Sequence, residues 1–290
     1  MKLFENLKRN NALRREQKEN ERKLKHARSR ATLSAKKNGK VALCLSGGGA
    51  RGFAHVGAIQ ALMEENIHFD LVAGTSAGAL VGSLYAGGIK PKEIMNYAQN
   101  LDLKDVKSGF ILKPDSAENI AKLVSNFLGE KTFDQLDKPF YAVATDLVTA
   151  RQVVLDSGNV ATAVSASCAV PLAFKPVVMG EAHLVDGGLL NNIPADVCRM
   201  MGADYVITVD VNPGRGEGTN ELGIVEVLKA TFSIMGVNAS VTGLMNSDVV
   251  ISADTSGYSS MKKTGYREMY ELGYKSAKSK CEEIINLIYK

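Results

Sequence analysis

A short apolar run that ends in glycine and passes straight into a helical pattern occurs twice in the first third of this chain, and no other feature limits its fold as much. Val41-Ala42-Leu43-Cys44-Leu45 runs into Ser46-Gly47-Gly48-Gly49, and a helix over about 50–65 follows, with Val56, Ile59 and Met63 at helical spacing. Phe69-Asp70-Leu71-Val72-Ala73 then leads through Gly74 into a small-residue helix over 77–86, stopped by Gly87-Gly88. An apolar run without polar alternation fits a strand buried on both faces, and strand followed by helix fits a crossover unit. The expected framework is therefore α/β with a mostly parallel sheet. Pro91 suits the first turn of a third helix. Further strands are expected over 140–145, 152–155, 183–185, 205–211 and 248–252. Pro194 opens a helix that Gly202 closes, 212–218 reads as a loop, an apolar-faced helix or pair covers about 222–246, and a terminal helix starts near 264.

Among the 290 residues 45% are hydrophobic and 23% charged, which excludes a chain disordered throughout. No run approaches the roughly 18 apolar residues of a spanning helix. The cysteines at 44, 168, 198 and 281 lie too far apart to suggest a zinc site or a disulfide framework, so buried thiols in a reducing, cytoplasmic setting are expected, with no metal or other cofactor. The net charge of +4 conceals an asymmetry: residues 1–40 carry 14 Lys/Arg against 4 Asp/Glu (+10), and residues 41–290 carry 21 against 27 (−6). The expected division is a basic, partly helical arm over 1–39 and a folded domain over 40–290. The arm lacks the apolar core of a secretory signal. It reads either as a solvated tail or as an anchor through which residues 1–38 meet an anionic membrane surface, each cation near such a surface contributing about 1 kcal/mol. Nucleic acid is not expected as a partner, because the arm offers only Phe4 to stack on bases.

Gly74-Thr75-Ser76-Ala77-Gly78 places a serine between two glycines where a strand turns directly into a helix. That is the context of a nucleophile elbow: the turn leaves no room for side chains at Gly74 and Gly78, and the serine hydroxyl stands at the positive end of the helix dipole. Gly47-Gly48-Gly49-Ala50-Arg51-Gly52 fits a dinucleotide fingerprint by spacing, but that site needs an acid at the end of the next strand, where only Asp70 at its start is present. The same glycines suit an oxyanion hole better, their amides unshielded at a helix N-terminus one strand from Ser76. Arg51 either adds positive charge there or faces solvent.

An activated serine needs a base. His26 lies in the arm, His68 in a loop and His55 below the proposed rim, and His183 points to the face of its strand opposite Asp186. Asp186 itself emerges at a strand end before Gly187-Gly188, and it serves as a base only if burial raises its pKa from about 3.9. A turn aspartate is the plainer alternative.

With these blocks in this order the chain resembles the bacterial patatin-like phospholipases. Ser46 to Gly52, continued by His55-Val56-Gly57, looks like that family's oxyanion motif, Gly74 to Ala79 its nucleophile motif, and Asp186-Gly187-Gly188 with Asn191-Asn192-Ile193-Pro194 its acid motif. Ala166-Ser167-Cys168-Ala169-Val170-Pro171, with Phe174, Pro176 and Val177, resembles a further block, and the likeness covers about residues 40–290. The resemblance implies a three-layer α/β/α sandwich that hydrolyses phospholipid or lysophospholipid esters. In it Ser76 is the nucleophile, Asp186 the proton acceptor and the Gly47–Gly49 amides the oxyanion donors; a cytoplasmic enzyme peripheral at the membrane is expected. Ala150 stands where such proteins often carry a glycine. Phe110-Ile111-Leu112 and the later Phe232, Ile234 and Met235 either line an acyl channel or touch lipid or, as apolar residues at helical spacing more often do, belong to the core; Tyr266, Tyr270 and Tyr274 read as a packing stripe. A silent adaptor on the same scaffold, recruited through the arm, is the alternative function. Oligomeric state is not legible in the sequence.

Overall fold

The computed structural model describes residues 39–100, 116–213, 220, 223–260 and 264–289. The arm, Gly39 apart, and Phe110-Ile111-Leu112 lie outside these residues, as does most of the 212–218 loop.

Strand β1 (Val41–Leu45) forms where expected, and its two faces explain its unbroken apolar run. Val41, Leu43 and Leu45 belong to one hydrophobic cluster, Ala42 and Cys44 to another on the opposite side. β1 is central, paired in parallel with β2 (Leu71–Thr75) and with β7 (Tyr205–Asp210). Outward lie β3 (Phe140–Asp146) beside β2 and β8 (Val249–Ser252) beside β7, both parallel. Three antiparallel strands complete an eight-stranded sheet: β4 (Arg151–Leu155) and β6 (Ala182–Asp186) on β3, and β5 (Val177–Met179) on β6.

The first face is covered by α1 (Phe53–Glu64), α2 (Ala77–Ala86), α4 (Glu118–Leu128), α5 (Val160–Ser167) and the long α9 (Tyr266–Tyr289); α3 (Pro91–Asn100) borders α1. The second face, lined by small residues such as Ala42, Cys44 and Ala73, receives α6 (Ala195–Met200), on which α8 (Val241–Met245) rests. The result is helix, sheet, helix. The tyrosine stripe packs as expected: Tyr266 meets the Phe53 ring at 5.5 Å, Tyr270 and Tyr274 rest against the core, and the Tyr274 hydroxyl donates to Glu64 at 2.6 Å.

Most boundaries agree with expectation to within a residue or two, and the shifts in the second strand and first helix have identifiable causes. The second strand begins later and runs further, because Asp70 is tied to β1 through its own amide and its carboxylate, while Gly74 is still flanked by β1 and β3 and Thr75 still pairs with β3. The first helix starts as a 3-10 turn over Gly49–Gly52, where the Ala50 N–H is drawn to the Ser260 carbonyl. The 222–246 segment resolves into a pair, α7 (Ile224–Asn238) and α8.

At the β3–β4 turn, Asp146 accepts hydrogen bonds from the Val148 and Thr149 amides and from the Thr149 hydroxyl. Ala150 completes this turn at φ 54, exposed and in the left-handed region. Ala150→Gly should therefore stabilise the protein by about 1 kcal/mol, the left-handed strain relieved less the added backbone entropy. Thermal unfolding should show a midpoint about 2 °C higher; a lower midpoint would contradict this account of the turn.

Candidate active site

Ser76 is the single residue between β2 and α2, at φ 53 and ψ −120, a conformation that non-glycine residues rarely adopt and that costs on the order of 1–3 kcal/mol. The crossing of chains beneath it explains the glycines. A Cβ on Gly74 would run into the Gly78 carbonyl, and one on Gly78 into the Leu45 carbonyl. The Ser76 N–H, which belongs to neither sheet nor helix ladder, donates to the Ser167 hydroxyl at 2.9 Å.

Asp186 reaches Ser76 through a topological device. β4 pairs with one edge of β3 from Ala142 to Asp146; β2 takes the other edge up to Val143, and β6 takes that same edge from Ala144 onward. β2 and β6 therefore meet end to end, Thr75 opposite Val143 and Asp186 opposite Ala144. The Thr75 hydroxyl donates to the Asn191 carbonyl at 2.8 Å, and Gly187 turns tightly against the Val143 carbonyl, so the two strand ends are tied together.

Asp186 is buried, 4% exposed, and its Oδ1 accepts the Gly188 N–H at 2.8 Å. Burial raises its pKa to about 6, against the opposing pull of the Ser76 hydroxyl and the Gly188 amide. Ser76 is close enough to favour the ionised carboxyl yet short of a full hydrogen bond, since Oδ2 is buried without a partner among the described residues. Such contacts tighten when substrate binds. No histidine bonds to either residue among those described. His183 and His68 are exposed, and buried His55 donates from Nε2 to the Ser46 carbonyl at 2.8 Å. The loss of hydration depresses the His55 pKa to about 4, so the ring is a neutral strut under the glycine turn.

The glycine turn lies beside the serine: a Cβ on Gly47 would come 3.6 Å from that of Ser76. Its amides are not equivalent. The Gly47 N–H donates to the Asn192 carbonyl at 2.9 Å, so the expectation that Gly47 is an oxyanion donor gives way to a structural role. The amides of Gly48 and Gly49 donate to nothing among the described residues and stay open. Arg51 does not face solvent, which corrects the surface reading. It is buried, with Nε and Nη2 on the Tyr258 carbonyl and Nη1 on Asn212 Oδ1. Asn212 in turn donates to the Gly47 carbonyl at 2.7 Å. Gly52 packs against Ala77 at the start of α2.

Three further residues thus hold the site: Ser167 and Asn192, which stand in the family-like blocks without a role of their own there, and Asn212. Asn192 also links the site to the helices behind it, its amide donating to the Ala239 carbonyl and its side chain to the Ser240 hydroxyl. On α7, Ile234 is 55% and Met235 40% exposed, which corrects the expectation that they are core; Phe232 is half-buried. Among the described residues no group of three or more His, Cys, Asp or Glu is placed to hold a metal, no helix is long and apolar enough to cross a membrane, and all four cysteines are buried and free.

Comparison with known proteins identifies relatives of the chain. A family model described as patatin-like phospholipase matches residues 43–199. A Mycobacterium tuberculosis protein named as an uncharacterized NTE family protein is 36% identical over 184 residues, 61% of this chain and 32% of its own length. Mouse patatin-like phospholipase domain-containing protein 7 is 34% identical over 187 residues, 59% of this chain and 13% of its own. The chain therefore matches only a minor part of these longer relatives. VipD from Legionella pneumophila superposes with a TM-score of 0.56 at 17% identity, covering 84% of this chain and 67% of that one, a likeness of fold alone.

Proposed function

The chain belongs to the patatin-like phospholipase family, and on that premise we propose that it is a serine-dependent lipid acyl hydrolase working through a Ser76–Asp186 dyad. The observation that carries this reading is the end-to-end meeting of β2 and β6, which sets a strained serine against a buried carboxyl whose pKa burial has raised to about 6. Asp186 takes the proton from the Ser76 hydroxyl as Oγ attacks the ester carbonyl. The Gly48 and Gly49 amides receive the developing oxyanion. Collapse expels the alcohol, which takes its proton from Asp186, and leaves an acyl group on Ser76. Water, deprotonated by the same carboxylate, then releases the fatty acid. An acid with a pKa near 6 is a usable base at neutral pH, which an ordinary exposed aspartate is not.

Phospholipid or lysophospholipid is the substrate class that the surroundings favour, because the exposed apolar face of α7 adjoins the acid turn. Ile234→Glu combined with Met235→Glu should slow hydrolysis of vesicle phospholipid about tenfold or more, since the surface loses apolar area that lipid would cover. Hydrolysis of a soluble short-chain ester should stay within about twofold; equal losses on both substrates would remove the lipid-facing role.

A fluorophosphonate probe, with peptide mapping, tests the enzyme reading itself. Labelling should fall on Ser76, and a screen of lipid classes should show fatty-acid release that the probe blocks. Folded protein that neither labels nor releases fatty acid would instead support a silent adaptor.

A further inference from the structure

We propose that the segment Ser167-Cys168-Ala169, at the C-terminal end of α5, is a brace that sets the separation of Ser76 and Asp186, with Ser167 as its positioning residue. The proposal rests on the hydrolase reading above and specifies how its dyad is held. The Ser167 O–H donates to the Val143 carbonyl at 2.6 Å, which leaves its lone pair to accept the Ser76 N–H at 2.9 Å. Two residues on, the Ala169 carbonyl accepts the Asp186 N–H at 3.0 Å. One short segment thereby grips the main chains of both dyad members, and the anchor it takes on β3 is Val143, the residue opposite Thr75 and next to the partner of Asp186. Between the two grips the buried Cys168 thiol lies under the influence of both the Asp186 charge and the Ser76 hydroxyl, and burial keeps that thiol neutral.

No other side chain among the described residues does this for Ser76. Its carbonyl accepts from Leu80 inside α2, but its amide has no helix or strand partner, and Ser167, fully buried, is the side chain that satisfies it. Without that bond the residue at φ 53 is free to relax toward an ordinary conformation. Displacement of a reacting atom by about 1 Å can cost on the order of 100-fold in rate.

Ser167→Ala should accordingly lower kcat about 10- to 100-fold with KM within about twofold. The Asp186 titration, followed by carbon NMR of its carboxyl, should move upward because the Ser76 hydroxyl no longer favours the ionised form. Ser167→Thr, which keeps the hydroxyl, should recover most of the rate. Val164→Ala, an equally buried change in α5 at a side chain that makes no hydrogen bond, controls for lost packing. A kcat loss matched by Val164→Ala, or an Asp186 titration that Ser167→Ala leaves in place, overturns the proposal. Absence of turnover in the unaltered protein would end the hydrolase reading instead, and the titration would still decide the brace.

Discussion

Ser76→Ala is expected to reduce lipid ester hydrolysis by about 10⁴-fold or more, and Asp186→Asn by a comparable factor, in proteins that remain folded. Both changes are nearly isosteric, and the backbone at position 76 is held by its neighbours rather than by its own hydroxyl. The two residues act as one unit, so the double variant should be about as slow as either single one, whereas independent contributions would multiply. The reaction also needs Asp186 ionised at the start. In the unaltered enzyme kcat/KM should therefore be flat above neutrality and fall as the pH drops through about 6, tenfold per unit below it. Initial rates of fatty-acid release, with circular dichroism to confirm folding, would check all three statements. If Ser76→Ala kept more than a few per cent of the activity, the nucleophile would be another residue.

What made this site legible in advance was local. β1 is buried on both faces and reads as an unbroken apolar run; α2 is bounded by Ser76 and by Gly87, and its expected and observed limits coincide. The elbow could be recognised because its glycines are imposed by chains crossing within a few residues. No helix is expected over Glu118–Leu128 or Val160–Ser167, and both form. The second is built from Val, Ala, Thr and Ser, a composition that suits a buried strand as well as a helix, and its Asn159 cap becomes visible only once Thr162 is seen to donate to it. β5, three residues at the sheet edge, is too short to show a period. The residues that hold the site escaped for a different reason. Ser167 acts on a main-chain amide 91 positions away and Asn212 on a carbonyl 165 positions away, and a hydrogen bond to backbone leaves no pattern at either end. The glycine motif likewise identifies a loop but not which of its amides another carbonyl has already taken. Periodicity identifies an apolar face on α7; it cannot tell that Ile234 and Met235 are left exposed.

Asp186→Asn should also change how stability depends on pH, and here the effect reports on the carboxyl independently of turnover. The folded-state pKa is raised to about 6 from an ordinary 3.8, so the folded protein holds this proton more tightly than the unfolded chain does. Its contribution is fully present below about pH 4 and is lost as pH rises through 6. At about 1.4 kcal/mol for each tenfold change in proton affinity, the ionised, buried carboxylate is a burden of roughly 3 kcal/mol at pH 8. Asparagine carries no such charge. The stability of the variant relative to the unaltered protein should thus rise by roughly 3 kcal/mol between pH 4 and pH 8, whatever constant offset the new amide introduces by placing a donor where Oδ2 had no partner. Comparing the two proteins cancels the other buried groups that titrate in this window. His55, depressed to about 4, destabilises both equally as pH falls below about 6.5, because the unfolded chain then binds a proton that the buried ring refuses. Cys168, the other titratable side chain facing the carboxyl, stays neutral throughout. Denaturant unfolding of both proteins at matched pH values measures the difference directly. A difference that does not vary with pH would mean that burial has not raised the Asp186 pKa, and the carboxylate would then be too weak a base for the role proposed.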